Sequence, residues 1–338
     1  MKRLIVVFAV ICVFLTGCSD MREISDELYA IMLGIDETYD GVHLTVAVPD
    51  YSSKEEYQTE ILSVDAEDVY SGLEKLGMSR SRKISLLHLK AVVISEDTAR
   101  GGIKDFVSAI HRHPETANAM GIMVSRGDAE ELIGTLCENT SGDISSDIEV
   151  MLLSEKYNPY CPVVLFEDFY NSIESSYRSP FSVYVSDDGS FEGIAVFDED
   201  KMTGVLGKKD ASFIMIASGK MNGGYMGFDT SKGRAGVKIS CRDRKITVGD
   251  SVKIGVDLTG KMDFTPHLGE MKQEIKNQIK SGIKSAILKA GASGCDILGL
   301  RGYSAGNFAT VQQWEKSNGE FDNISVSVKL ELSQSVNG

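Results

Sequence analysis

No two of the six cysteines are close enough to form a C-x-x-C pair, which excludes the short-spaced zinc and redox motifs. Positive charge is scarce as well, with 35 Lys and Arg against 49 Asp and Glu. That deficit argues against nucleic acid as a partner, because phosphate binding needs clustered cations. Past Leu15 no apolar run approaches the roughly 20 residues that a membrane-spanning helix requires. The body of the chain therefore reads as a water-exposed polypeptide, and 42% hydrophobic residues are enough for a sizeable core.

The first eighteen residues organise the rest. Lys2 and Arg3 precede twelve consecutive apolar residues, Leu4 to Leu15, and then Thr16, Gly17 and Cys18. A charged start, a short apolar run and a small-residue cleavage site have the order of a secretory signal. Leu15-Thr16-Gly17-Cys18 matches the bacterial lipobox at all four positions. Residues 1–17 are expected to be removed and Cys18 to carry a diacylglyceryl thioether, whose two chains meet the requirement for stable anchoring. Losing Lys2 and Arg3 leaves 33 basic residues against the 49 acidic ones, a net charge of −16 on the mature chain. With Cys12 in the leader and Cys18 lipidated, Cys137, Cys161, Cys241 and Cys295 remain. An external location permits disulfides, but four scattered cysteines read better as buried thiols.

Leu28 to Gly34 fits a strand or a helix, Val42 to Val48 a one-sided strand, and Tyr39, Asp40 and Gly41 a turn between them. Residues 50–60 read as a loop. Asp65 then opens a helix with Val69, Leu73 and Leu76 at helical spacing, closed by Gly77. Ile84 to Ser95 is one nearly continuous apolar strand, suited to a sheet covered on both sides. A helix carries Ile103, Phe106, Val107 and Ile110 and stops before Pro114. Met120 to Ser125 is another strand, and Asp128 with Glu131 forms a capping box for the next helix. The alternation of helices and strands indicates an α/β domain. A helix at 144–156 follows, then strands at Phe181 to Val185 and Phe191 to Phe197, split at Asp187, Asp188 and Gly189. A short strand comes after Gly204, and Ala211 to Lys220 fits helix or strand. The Gly-rich run from Asn222 to Gly236 looks like a boundary.

Near the C-terminus Val252, Ile254, Val256 and Leu258 alternate with polar residues, and so do Ile324, Val326, Val328, Leu330 and Leu332. Both patterns fit half-buried antiparallel strands. Between them a helix from about Leu268 to Ala290 places Leu268, Met271, Ile275, Ile279, Ile283 and Ala286 on one face, with Gly291 as its cap. The fold expected is mixed α/β and α+β. Its parts are an N-terminal α/β domain (18–185), a small central β-rich domain (186–235) and a C-terminal α+β domain (236–338) in which a long helix packs on an antiparallel sheet.

In this order the segments resemble the Ger(x)C family, the C-subunit lipoproteins of bacterial spore germinant receptors. The resemblance is carried by Gly17 to Asp26 (GCSDMREISD), Gly34 to Asp36 (GID) and His88 to Arg100 (HLKAVVISEDTAR). Arg112 to Glu115 (RHPE), Gly193 to Leu206 (GIAVFDEDKMTGVL), Asp296 to Leu300 (DILGL), Trp314 and the closing strand continue it. Ser19 stands where the family usually has Trp. The resemblance implies a non-enzymatic subunit, lipid-anchored on the outer face of the spore inner membrane. Its expected partners are the A-type and B-type polytopic subunits of the receptor, one of them similar to amino-acid permeases and the likelier germinant binder. It implies three mixed α and β domains, no cofactor, no metal and no small-molecule site on this chain. An alternative that shares the lipid anchor is the substrate-binding lipoprotein of an ABC importer, which needs two similar lobes around a cleft.

Gly302 to Gly306 (GYSAG) fits the nucleophile-elbow pattern around Ser304, but the last histidine, His267, precedes it, whereas that fold places its base afterwards. A Gly-rich turn is the better reading. His111 and His113 point to different sides if helical and suit a structural role at a helix end. His88 and Lys90 read as a polar spot on the apolar strand, hydrogen-bonded beneath a helix. Lys272, Lys276, Lys280 and Lys284 recur every four residues in an otherwise acidic chain. They read as a solvated face relieved by Glu270 and Glu274, or as a contact for anionic headgroups or an acidic partner loop.

Overall fold

The computed structural model describes residues 26–50, 58–117, 119–140, 142–153, 160, 162–175, 177–248, 251–305 and 323–334. The leader, Cys18, Cys161 and Trp314 lie outside the described residues. Strands β2 (Met32–Thr38) and β3 (Gly41–Asp50) make an antiparallel hairpin about Tyr39 and Asp40. The sequence placed residues 50–60 in a loop, yet β4 (Gln58–Ala66) begins at Gln58 and pairs with β3. β4 is an edge strand, where one flank meets water and polar residues are tolerated. Helix α1 (Val69–Arg80) starts at Asp68 rather than Asp65, because Asp68 and Ser71 form the capping box. It runs through Gly77 and ends at Ser81 in the left-handed conformation, φ 53°.

The apolar run from Ile84 to Ser95 is not one strand. β5 (Lys83–Ser85) pairs with β1 (Glu27–Tyr29), and the Leu89 N–H closes a turn onto the Leu86 carbonyl at 3.1 Å. Leu86 and Leu89 are both buried while Leu87 between them is 53% exposed. A hydrophobic run of this length does not reveal such a break. β6 (Ala91–Ser95) follows, buried at all five positions and parallel to β2 and β7 (Gly121–Ser125). Helices α2 (Glu96–Gly101) and α3 (Lys104–Arg112) lie between β6 and β7, and α4 (Ala129–Asn139), α5 (Ile144–Leu153) and α6 (Phe166–Ile173) come after. β8 (Phe181–Val185), β9 (Phe191–Asp198) and β10 (Lys201–Gly207) complete an eight-stranded mixed sheet of order β10-β9-β8-β7-β6-β2-β3-β4. One face packs on α1, α3 and α6 through Leu73, Val107 and Phe169, the other on α4 and α5 through Ile133 and Ile148.

Helix α7 (Lys208–Ala217) is buried from Ala211 to Ala217, because it sits between β9 and β10 on one side and the C-terminal layer on the other. The Gly-rich run from Asn222 to Gly236 forms a hairpin of β11 (Asn222–Thr230) and β12 (Gly233–Val248). The stretch 186–235 is thus shared: β9 and β10 extend the first sheet, and β11 belongs to the second. β13 (Val252–Met262) runs antiparallel to β12, but β14 (Ile324–Gln334) joins β13 in parallel, Val252 opposite Ile324 and Leu258 opposite Leu330. Parallel neighbours require a long crossover, and α8 (Leu268–Ala292) lies in it. Ile275, Ile279 and Ile283 of α8 are fully buried on the sheet, each stabilising by about 1.5–3 kcal/mol. Gly291 lies inside α8, which ends at Ser293. The segment after Gly299 is a short helix, α9 (Leu300–Ala305), rather than a Gly-rich turn. The fold is mixed α/β and α+β.

Candidate functional site

The sequence motifs meet at joints between elements. A Cβ at Gly34 would lie 2.8 Å from Ile133 Cδ1 and 3.3 Å from Ala129 Cβ, so glycine lets α4 lie close on β2. Two residues on, the Asp36 carboxylate accepts the Ala129 N–H at 2.8 Å and the Glu130 N–H at 3.3 Å. That replaces the expected capping box, since Asp128 makes no side-chain cap hydrogen bond. In HLKAVVISEDTAR the Thr98 hydroxyl accepts the Glu37 N–H at 2.7 Å and lies 2.7 Å from Ser95 Oγ, while Glu96 holds Arg100 and the Tyr184 hydroxyl. Asp200, from the turn between β9 and β10, accepts the Ile103 N–H on its carbonyl at 3.1 Å and the Lys104 N–H on its carboxylate at 3.2 Å.

Asp296 is the most buried carboxylate of these motifs. It accepts the Leu300 and Arg301 N–H groups at 2.8 and 2.7 Å at the start of α9. Its own N–H donates to Ser179 Oγ at 2.9 Å, tying the loop before β8 to the C-terminal layer. Burial pushes its pKa up, against the pull of those backbone donors. The motif carboxylates thus satisfy backbone donors that a helix start otherwise leaves unpaired.

The titratable candidates separate. His111 stacks on Tyr170 at 3.8 Å between ring centres, with Nδ1 3.2 Å from Glu167, whereas His113 lies against Tyr70 at the end of α3. Burial lowers the pKa of His113. Among the described residues no cluster of three or more His, Cys, Asp or Glu could hold a metal. His88 and Lys90 do not share a strand face: His88 is exposed at the turn with its ring edge-on to Tyr29, whereas half-buried Lys90 is hydrogen-bonded to Glu149 of helix α5 at 2.7 Å. The side chain of Ser304 lies outside the described residues. Cys137, Cys241 and Cys295 are free thiols.

The lysine row lies on α8. Lys280 and Lys284 are exposed and Lys272 and Lys276 half-buried. Glu270 and Glu274, expected to relieve them, are drawn to the β11–β12 turn instead. Glu270 pairs with Lys232 at 3.0 Å, and Glu274 accepts the Ser231 N–H at 2.7 Å. Among the described residues no ion pair reaches any of the four lysines. Lys280 and Lys284 border a cleft of about 460 Å³ against Ile324, Ser325 and Val326 of β14.

Sequence reasoning missed one cluster. His43 Nδ1 lies 2.6 Å from Asp65 and Nε2 2.9 Å from Glu130, joining β3 to β4 and to α4. Burial opposes the charged ring, but the hydrogen bonds to Asp65 and Glu130 and their charges outweigh it, so the pKa is raised. Its partners are 22 and 87 residues away, beyond the reach of any local pattern.

These features define a mixed αβ protein with two large sheets and a small two-stranded one, whose sequence motifs build its framework. Residues 20–187 match the family described as the spore germination protein N-terminal domain, and residues 192–335 match the spore germination B3/GerAC-like C-terminal domain. The chain belongs to this spore germination family, the Ger(x)C family. It is 30% identical over 139 residues to the putative spore germination protein YfkR of Bacillus subtilis (strain 168), a stretch covering 37% of this chain and about a third (35%) of that relative. The crystal structure of the GerBC protein superposes with a TM-score of 0.55 over 90% of this chain and 97% of that one, at 15% identity. That likeness concerns the fold. Among the described residues no helix is long and apolar enough to cross a membrane.

Proposed function

We propose that the chain is the non-enzymatic, lipid-anchored C-subunit of a spore germinant receptor. It acts in nutrient-triggered germination together with the A-type and B-type polytopic membrane subunits, tethered through Cys18 to the outer face of the spore inner membrane. The observation that carries the reading is the succession of two germination-family domains over residues 20–187 and 192–335, directly after a lipobox. A non-catalytic role is supported by the use of the motif carboxylates, which cap helices and join layers. A chain of this kind acts by contact, and the lysines of α8, which have no ion-pair partner among the described residues, are the contact surface we assign to it.

The test is gentle detergent extraction of spore inner membranes with a tag after Gly338, for the native chain and for Cys18→Ala. Two polytopic partners are expected with the native chain and less of both with the variant. Recovery of the native chain alone, or with the permease and ATPase of an importer, would overturn the receptor reading.

A further inference from the structure

Residues paired across neighbouring strands project from the same side of a sheet. On the side of the second sheet away from α8, one row runs Tyr225, Lys238, Lys261 and Ser333 from β11 to β14. Lys238 and Lys261 therefore stand directly opposite each other, an arrangement that repels. The adjoining row is Asn222, Ser240, Thr259 and Glu331. Its carboxylate is already occupied, since Arg242 Nη1 lies 2.5 Å and Lys329 Nζ 3.7 Å from Glu331. Among the described residues no carboxylate pairs with Lys238 or Lys261, and Lys238 rests 5.8 Å above the Tyr225 ring. The two rows border a cleft of about 760 Å³ that Lys238, Lys261, Arg242, Asn222 and Ser240 line. Small-molecule sites occupy about 300–1,000 Å³.

Two opposed cations without a counter-charge cost stability in the empty protein, and hydroxyl and amide groups stand beside them. An anion would relieve the repulsion and accept from both ammonium groups, in charge-assisted hydrogen bonds that are stronger than neutral ones. We propose that this cleft binds the phosphate or carboxylate group of a small molecule between the Nζ atoms of Lys238 and Lys261. The site is separate from the lysine row of α8, which lies on the other side of the sheet, and it does not depend on the receptor assignment.

The test uses the full mature chain, with inorganic phosphate and succinate as probes in calorimetric titration and thermal melts at constant ionic strength. At least one anion should bind saturably and raise the melting temperature. Lys238→Gln and Lys261→Gln should each weaken that binding by about tenfold, the loss of one charge-assisted hydrogen bond. Each should also melt higher than the native chain at low salt without ligand, which shows that the variants fold and that the repulsion is real. Lys253→Gln, on the same face outside the cleft, should leave binding unchanged. The proposal is overturned if neither anion binds saturably, or if Lys253→Gln weakens binding as much as the other two. Binding only to phosphatidylglycerol-containing vesicles, with no response to either free anion, also overturns it.

Discussion

The carboxylate of Asp36 on β2 accepts the backbone N–H of Ala129, 2.8 Å away at the start of α4 and 93 residues on in the chain. The same carboxylate takes the Glu130 N–H, so one side chain satisfies two donors that Asp128 leaves open. Asp36→Ala should destabilise the protein by about 1 kcal/mol, within the 0.5–2 kcal/mol span of a lost helix cap. Asp36→Asn, which keeps an acceptor, should lose less. Urea unfolding measures both; equal midpoints for all three proteins would remove the cap from the account.

Those two residues also show where the sequence stops being legible. Alternation at Val252 to Leu258 and at Ile324 to Leu332, and the helical spacing from Leu268 to Ala286, are local patterns, and the structure has the strands and helix they indicate. Strand direction is not in the pattern, so β14 reads the same whether parallel or antiparallel to β13. Leu86 and Leu89 are both core residues on either side of a turn, which composition renders as continuous strand. The motif Gly34 to Asp36 is visible in the sequence, but its work depends on Ala129, Glu130 and Ile133 arriving from elsewhere. Cross-strand pairing of Lys238 with Lys261 likewise needs the register.

Gly282 lies in the middle of α8, where glycine ordinarily costs about 1 kcal/mol relative to alanine. A Cβ there would overlap the Phe213 ring of α7. Gly282→Ala should therefore destabilise by about 1–3 kcal/mol, the cost of overpacking, despite its better helix propensity. Adding Phe213→Leu should recover part of that loss in a double-mutant cycle. A Gly282→Ala variant more stable than the native chain would mean that the two helices move apart freely.

Cys295 is buried, and burial pushes its thiol up to about 12, while burial raises that of Cys137 to about 11. The thiolate is the reacting species. At pH 8 iodoacetamide should leave both unlabelled in the folded protein and modify both in denaturant, as read by peptide mass spectrometry. Rapid native labelling of Cys295 would contradict its packing between the loop before β8 and the C-terminal layer.

Lys276 and Lys280 have no ionic partner among the described residues, and like charges four apart on a helix repel by about 0.2–0.5 kcal/mol per pair. Reversing both to Glu should leave folding intact and reduce recovery of the polytopic subunits or of membrane, because an attractive surface becomes a repulsive one. Unchanged co-purification of the double variant would dismiss the row as a contact.

His43 gives the protein a pH-dependent joint. Both ring nitrogens face carboxylates, Asp65 at 2.6 Å and Glu130 at 2.9 Å. Imidazole can donate from both nitrogens only when protonated. Its folded pKa is raised above the unfolded one, against the opposing effect of burial, so the proton binds more tightly in the native state. The resulting stability is complete below the unfolded value of about 6.5 and is lost as pH rises through the raised folded value. Asp65 is exposed at the rim, and ion pairs of that kind contribute about 0–1 kcal/mol. The native chain should thus melt above His43→Gln at about pH 5.5, and the gap should narrow by about pH 9. A gap that stayed constant with pH would mean that His43 stabilises by packing alone. One that widened with rising pH would show the ring to be neutral in the folded protein.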